Sequence, residues 1–453
     1  MAWKDYLDRE QNRFVSELID FVSIPSVSAK PENAPDVQRA AKWVAGRLIE
    51  AGGENVEVLQ TEGHPVVCGD WLHAGPDRPT VLVYGHFDVQ PAEPFDLWSS
   101  PPFEPEIRDG RLYGRGATDD KGSMLIPILA VEAMIKSEGR LPVNLRFFFE
   151  GQEEIGSPNM PEFVAKNAHR LSADMIFSAD GSQWAPDQPQ IVEGLRGIAS
   201  VEIVVRGAQS DQHSGMHGGG IANPAMALAQ ILASMKSPDG RITVDGFYHD
   251  VIPLTEDDRK AIADVPFDAE SYLAETGAPV EFGEPGYTTR ERIWGRPTLE
   301  INGLTSGWQG AGTKTVLPAE ARAKITCRLV ADQSPERIVK VLRAHVEHHA
   351  PHGVTVDLEP GGASGKPFLV PRGHNSSVVA AQVLEEIYGR PPHRTRVGGS
   401  IPVMTMLLEH VGVHATMFSF QHGDENLHAP DEFCRLDAFR RGQEAYCRLF
   451  ESL

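Results

Sequence analysis

Phe147-Phe148-Phe149-Glu150-Gly151-Gln152-Glu153-Glu154-Ile155-Gly156 is the stretch on which the reading of this chain turns. The apolar run 143–149 reads as a buried strand, and two adjacent carboxylates, Glu153 and Glu154, follow where it ends. Carboxylates in such a place are costly to desolvate unless a cation meets them. Neighbouring residues of an extended chain point to opposite sides. One of the pair can then hold a metal ion while the other faces the water that the ion activates. A Glu-Glu pair by itself is usually solvated surface, and this one gains weight from other segments that each carry a potential ligand.

Outward from this stretch, strand-like runs precede it at 56–59, 66–71 and 80–84, and another follows at 175–178. Helical spacing of Leu7, Phe14, Leu18 and Phe21, a helix after Pro35, a helix from Lys121 and one near 161–167 alternate with those strands. Asp109-Gly110 reads as a hairpin turn. The alternation predicts an α/β domain built on a mixed sheet with helices on both faces. Near 193–197 the character changes. Val201-Glu202-Ile203-Val204-Val205 alternates like a half-exposed strand, a helix runs from Pro224 to about Met235, and 237–296 is rich in Pro, Gly and charge and reads as an irregular excursion. A strand at 321–329, a helix at 335–348 and a strand at 354–358 complete a compact α+β module, ferredoxin-like in kind, inserted into the first domain. A helix at 377–388, a strand at 415–420 and a final helix striped with Leu436, Phe439, Tyr446, Leu449 and Phe450 return to the first domain. The expected division is 1–196, 197–374 and 375–453.

The 453 residues carry a formal net charge of −21, whereas phosphate recognition needs a basic face, so nucleic acid is not an expected partner. The length allows two or three domains with a large core. Met1-Ala2-Trp3-Lys4-Asp5-Tyr6-Leu7 has no apolar signal core, and no run approaches the length of a bilayer span. A cytoplasmic protein without a membrane partner is expected. Cys68, Cys327, Cys434 and Cys447 lack metal-type spacing and read as reduced, structural thiols.

Four further segments bear on chemistry. In Gly85-His86-Phe87-Asp88-Val89-Gln90-Pro91, His86 offers an imidazole suited to zinc or manganese, and Asp88 can orient it; a hydrogen-bonded core histidine is the competing reading. In Gly114-Arg115-Gly116-Ala117-Thr118-Asp119-Asp120-Lys121-Gly122, two aspartates open a helix, where capping competes with a metal-bridging role for Asp119. Asp180 closes Ser178-Ala179-Asp180-Gly181, and His428 lies in the polar loop Gly423-Asp424-Glu425-Asn426-Leu427-His428-Ala429-Pro430-Asp431-Glu432. Taken together they form a pattern: ligands in open α/β sheets gather at the carboxyl ends of strands. His86, Asp119 and Asp180 can hold one divalent ion, and Asp119, Glu154 and His428 the other. Three carboxylates against two dications leave one positive charge, which a hydroxide would neutralise. That balance suits a hydrolase that lowers the pKa of a shared water, with Glu153 free to act as general base and then general acid.

His-Phe-Asp-Val-Gln-Pro, Gly-Arg-Gly-Ala-Thr-Asp-Asp-Lys-Gly and Glu-Gly-Gln-Glu-Glu-Ile-Gly-Ser together resemble the dinuclear metallopeptidase family that includes carnosinase-like dipeptidases, acetylornithine deacetylase, succinyl-diaminopimelate desuccinylase and bacterial glutamate carboxypeptidases. The resemblance runs almost the full chain. It implies two divalent ions per subunit, zinc or manganese, on His86, Asp119, Glu154, Asp180 and His428, with Glu153 as the base and Asp88 orienting the first histidine. It implies a cis peptide at Asp119–Asp120. It implies that the inserted module is a lid and dimerisation domain of a homodimer, in which His213 of Ser210-Asp211-Gln212-His213-Ser214-Gly215 reaches the other subunit's site and stabilises the oxyanion. Thr315, Arg328 and Ser400 (in Gly398-Gly399-Ser400-Ile401-Pro402) match substrate-contact positions, and an Arg with hydroxyls suits the free carboxylate of a short peptide. Asp180 stands where many peptidase members have Asp and many deacylase members have Glu. Relatives often carry a histidine just before the Gly-Gly of the lid's last strand, where this chain has Pro360 before Gly361-Gly362. The expected activity is hydrolysis of the amide bond of dipeptides or short peptides with a free C-terminus. An N-acyl-amino-acid deacylase using the same site is the alternative, and a catalytically silent metal-binding scaffold is opposed by the retention of both glutamates.

Overall fold

The computed structural model describes residues 1–399 and 401–453, so the candidate substrate contact Ser400 lies outside the described residues. The chain forms two compact units. One is made of Met1–Glu193, Val370–Arg394 and Ile401–Leu453; the other is made of Gly194–Leu369 with a short return from Thr395.

The first unit is built on a six-stranded mixed sheet. Its spatial order is Glu54–Leu59, Val66–Trp71, Asn144–Glu150, Thr80–His86, Met175–Ser178 and Ala415–Met417. The last four run parallel and the first two are antiparallel to their neighbours. The three consecutive phenylalanines explain why the Asn144–Glu150 strand sits in the middle: successive side chains point to opposite faces, and both faces are covered. Phe147 and Phe149 enter the core formed with the helices Ala2–Val22, Lys121–Glu138 and Leu436–Glu451. Phe148 points the other way and stacks on Phe163 of the helix Met160–Leu171, with ring centroids 5.8 Å apart. Lys121–Glu138 is apolar on nearly every side and correspondingly buried from Lys121 to Met134, the pattern of a helix enclosed by other elements. It is the crossover that joins the parallel strands Thr80–His86 and Asn144–Glu150. Because these strands are parallel, the residues that follow them (beyond His86, Glu150 and Ser178) all emerge at one edge of the sheet.

The second unit carries a four-stranded antiparallel sheet in the order Thr298–Ser306, Glu320–Leu329, Gly197–Arg206, Thr355–Gly365. With the helices Pro224–Ala233 and Pro335–His349, the chain order is β-α-β-β-α-β, the ferredoxin-like arrangement. Alternation buries Ala199, Val201, Ile203 and Val205 with Ala323, Ile325 and Cys327 against those helices.

Several elements differ from the sequence reading. The excursion 237–296 contains three short helices, Glu256–Asp264, Ala269–Thr276 and Thr289–Gly295. Two of them open on reciprocal capping boxes, Thr255 with Asp258 and Thr288 with Glu291, which offset the poor propensity of the segment. The edge strand Thr298–Ser306 and the helix Pro402–Val411 are additions to the elements expected from the sequence. The strand expected over 354–358 continues through Pro360 and two glycines to Gly365, with an irregular register between Pro360 and Ser364. All four cysteines are buried and free of disulfides. Among the described residues no helix is long and apolar enough to cross a membrane.

Candidate metal centre

His86 is the last residue of its strand and is almost fully buried. Its Nδ1 lies 3.1 Å from the Asp88 main-chain oxygen and 3.5 Å from the Asp88 carboxylate. A carbonyl can only accept, so in a neutral ring Nδ1 carries the hydrogen and Nε2 presents its lone pair, the form that binds a metal. Nε2 faces Asp119 Oδ1 at 3.3 Å and Asp180 Oδ2 at 3.9 Å. Asp119 turns its other oxygen to His428 Nε2 at 3.0 Å, and His428 Nε2 is 3.2 Å from Glu154 Oε2. Two groups result, His86–Asp119–Asp180 and Asp119–Glu154–His428, each with its ligand atoms within 4.8 Å of one another. Asp119 belongs to both. The peptide between Asp119 and Asp120 is cis.

Glu153 and Glu154 lie in a short 3-10 turn, Glu153–Ile155, rather than in extended chain. The cause is Asp88, whose fully buried carboxylate accepts the Glu153 and Glu154 amides, one on each oxygen, both at 3.1 Å. Gln90 Nε2 donates to Glu154 Oε2 at 2.8 Å and to its carbonyl at 3.1 Å. Among the described residues no hydrogen bond takes up the Glu153 carboxylate, which leaves it free beside the two groups. Asp120 stands at the N-terminal end of Lys121–Glu138 without capping it. Its carboxylate accepts instead from the His86 amide at 3.1 Å and from Gln421 Nε2 at 3.1 Å. Gln90, Asp120 and Gln421 thus support the site, and sequence reasoning passes over them because nothing in their spacing reveals a hydrogen-bond partner.

The electrostatics ask for cations. Burial pushes the carboxyls of Glu153 and Glu154 up, and raises Asp180 to about 7, with neighbouring carboxylates adding to the effect. Burial opposes charge on Asp119 too, but hydrogen bonds with His428 and His86 hold it below the usual carboxylate range. Hydrogen bonds to Asp119 and Glu154 raise His428 to about 10. Burial disfavours a charged His86, yet contacts with Asp119 and Asp88 hold its pKa well above the ordinary value. The residues fit a pair of divalent ions: each group offers one imidazole and two carboxylates, and the buried Glu154 Oε1 has no hydrogen-bond partner.

The remaining candidates lie in the second unit. His213 is exposed at the end of the short strand Gln212–His213, paired with Val316–Leu317. Its Nδ1 accepts the Gly215 amide at 3.0 Å, so a neutral ring carries its hydrogen on Nε2. Thr315 is exposed beside it and its carbonyl accepts the Ser214 amide at 3.0 Å. Arg328 lines a cleft of about 510 Å³ with Arg196, Tyr248, Arg296 and Glu300.

The chain is 31% identical over 463 aligned residues to the Cys-Gly metallodipeptidase dug1 of Schizosaccharomyces pombe, covering 99% of this chain and 97% of the relative. It is 29% identical over 465 residues to the human Beta-Ala-His dipeptidase, covering 98% and 91%. The solved structure of the di-peptidase Dug1p from Saccharomyces cerevisiae superposes with a TM-score of 0.80 at 28% identity, over 100% of this chain and 98% of that one. The model of peptidase family M20/M25/M40 matches residues 82–452. With the full-length likeness in sequence and fold, this places the chain in peptidase family M20/M25/M40, as a metallopeptidase.

Proposed function

We propose that this metallopeptidase cleaves the amide bond of dipeptides and short peptides with a free C-terminal carboxylate. The observation that carries the reading is the pair of ligand groups joined at Asp119 with the uncommitted Glu153 beside them. The relatives named for Cys-Gly and Beta-Ala-His dipeptides support the substrate class. His86, Asp119 and Asp180 would hold one divalent ion, zinc or manganese, and Asp119, Glu154 and His428 the other. Bound there, the ions lower the pKa of a water and polarise the scissile carbonyl. Glu153 takes a proton from the attacking water as its oxygen bonds to the carbonyl carbon. It then delivers that proton to the departing nitrogen as the C–N bond breaks. Asp88 and Gln90 keep both glutamates in register for this work.

The same proposal gives the second unit the role of lid and dimerisation domain. The exposed Nε2–H of His213 suits donation to the oxyanion from the other subunit of a homodimer. The edge strand Thr298–Ser306 leaves Ile301 and Leu304 exposed, an edge that a second copy would cover. Arg328 and Thr315 would receive the peptide carboxylate. Four free thiols suit a reducing, cytoplasmic setting.

The test is hydrolysis of Cys-Gly, β-Ala-His and N-acetyl amino acids by protein stripped with a chelator and then reloaded with Zn²⁺ or Mn²⁺. Dipeptide cleavage should vanish on stripping and return on reloading, with acetyl amino acids left intact. Glu153→Gln should retain its ions and lose about 10²–10⁴ in kcat. Cleavage by stripped protein, or preference for the acetylated compounds, would refute the proposal.

A further inference from the structure

We propose that Glu432 is a positioning residue that fixes Asp119 and His428 relative to one another, an inference that rests on the dinuclear reading above. The side chain is fully buried. It closes the loop that carries His428 and leads into the strand Phe433–Arg435. Its carboxylate serves the other chain segment. Oε1 accepts the amides of Thr118 and Asp119, both at 3.1 Å. Oε2 accepts the Gly116 amide at 3.0 Å and Arg115 Nη1 at 2.7 Å. Three of these four donors are main-chain groups of the turn that delivers Asp119. The Glu432 carbonyl adds a fourth main-chain link, accepting from Gly114 at 2.9 Å.

Arg115 pairs with the carboxylate. Arg115 is as buried as its partner, packs over Trp98 with 5.4 Å from guanidinium to ring centroid, and donates to the Pro91 carbonyl at 3.3 Å. A buried carboxylate with this many donors is satisfied rather than stranded. Gly116, at φ +80°, lets the turn close: a Cβ there would stand 2.3 Å from Val89 Cγ1. The other flank of the loop is tied in the same manner. Glu425 Oε2 accepts from Thr118 Oγ1 at 2.5 Å and from the His422 amide at 2.9 Å, and Glu425 Oε1 accepts from Arg435 at 3.0 Å. Between these anchors Asn426, His428 and Asp431 all adopt left-handed backbone, with φ of 56°, 60° and 57°. Non-glycine residues hold such conformations where surrounding structure dictates them. The 3.0 Å approach of His428 Nε2 to Asp119 Oδ2 is therefore set by a frame whose centre is one carboxylate.

Glu432→Gln tests this. In either orientation the new amide turns an NH₂ group toward two of the four donors. Titration of chelator-stripped protein with Zn²⁺ should give two ions for the wild type. In the variant, one ion should bind about 10–100-fold more weakly, as changes in outer-sphere partners of metal ligands do, and the other within about threefold. In a His428→Ala background the same substitution should change the remaining ion's affinity less than about threefold. A merely structural role would weaken both ions alike or neither, and either result overturns the proposal. A wild type that binds fewer than two ions sinks the dinuclear reading itself and this inference with it, a separate and visible failure. Should the variant not fold, hydrogen exchange of the stripped wild type decides: peptides covering Gly116–Asp119 should stay protected without metal, and loop-like exchange there overturns the proposal.

Discussion

Replacing Asp88 by Asn separates the job that the sequence assigns to this side chain from the one that the structure adds to it. The residue stands where a carboxylate is expected to orient His86. In the structure, the nearest Asp88 oxygen to His86 Nδ1 is the main-chain carbonyl at 3.1 Å, which the substitution keeps. The carboxylate holds the amides of Glu153 and Glu154, one oxygen each. Asn retains one acceptor and turns an NH₂ group toward the other amide. A buried donor left without its acceptor costs about 1–3 kcal/mol. At about 1.36 kcal/mol per factor of ten, that is roughly a 5- to 150-fold loss if the whole cost falls on the transition state. The assay is kcat/KM on a dipeptide at saturating Zn²⁺, alongside metal titration of the stripped protein. The expected pattern is a loss of kcat/KM in that range while the ion on the His86 group binds within about threefold of wild type. A tenfold or greater loss of that ion with kcat/KM intact at saturating metal would refute the reasoning and return Asp88 to the imidazole.

Gly85→Ala would place a Cβ 2.7 Å from Met124 Cγ and 2.9 Å from Asp120 Oδ2, the oxygen that holds the His86 amide. Overpacking of this kind costs about 1–3 kcal/mol, read as a lower urea midpoint with an unchanged slope; an unchanged midpoint would show that the site yields freely. Metal uptake should release protons at pH 7, because hydrogen bonds to Asp119 and Glu154 raise His428 to about 10 and burial raises Asp180 to about 7. Both groups hold protons below those values and bind metal only without them, so affinity should climb as pH rises through neutrality. Calorimetry in buffers of different ionisation enthalpy measures the release, and none at pH 7 would contradict the charge assignment. Mixing Glu153→Ala and His213→Ala proteins should restore part of the lost activity once subunits exchange; exchange without recovery would remove His213 from the other subunit's site.

Much of the first unit is legible in the sequence because its strands are buried on both faces and announce themselves as apolar runs. Val66–Trp71 and Met175–Ser178 fall on the bounds read from the sequence. The two ligand groups are legible for a similar reason. A polar residue directly after such a run sits at a buried strand end, where desolvation demands a cation or a hydrogen-bond partner. The structure gathers His86, Asp119, Asp180, Glu154 and His428 as grouped from the sequence. The less legible parts are governed by partners distant in the chain or by local hydrogen bonds. Thr298–Ser306 is an edge strand whose exposed face hides its alternation. The helices at Glu256 and Thr289 rest on capping boxes rather than on apolar periodicity, although Thr-x-x-Asp and Thr-x-x-Glu stand in the sequence. Asp88 stands against His86 and makes a further contact that sequence spacing cannot show, since its carboxylate also meets the Glu153 turn.

Ala415–Met417 is the outermost parallel strand of the first sheet, and the loop after it supplies His428. During synthesis, four of the five ligands leave the ribosome long before that strand exists. A nascent chain therefore lacks His428, and the hold of Glu432 on the Asp119 turn, until the final segment docks.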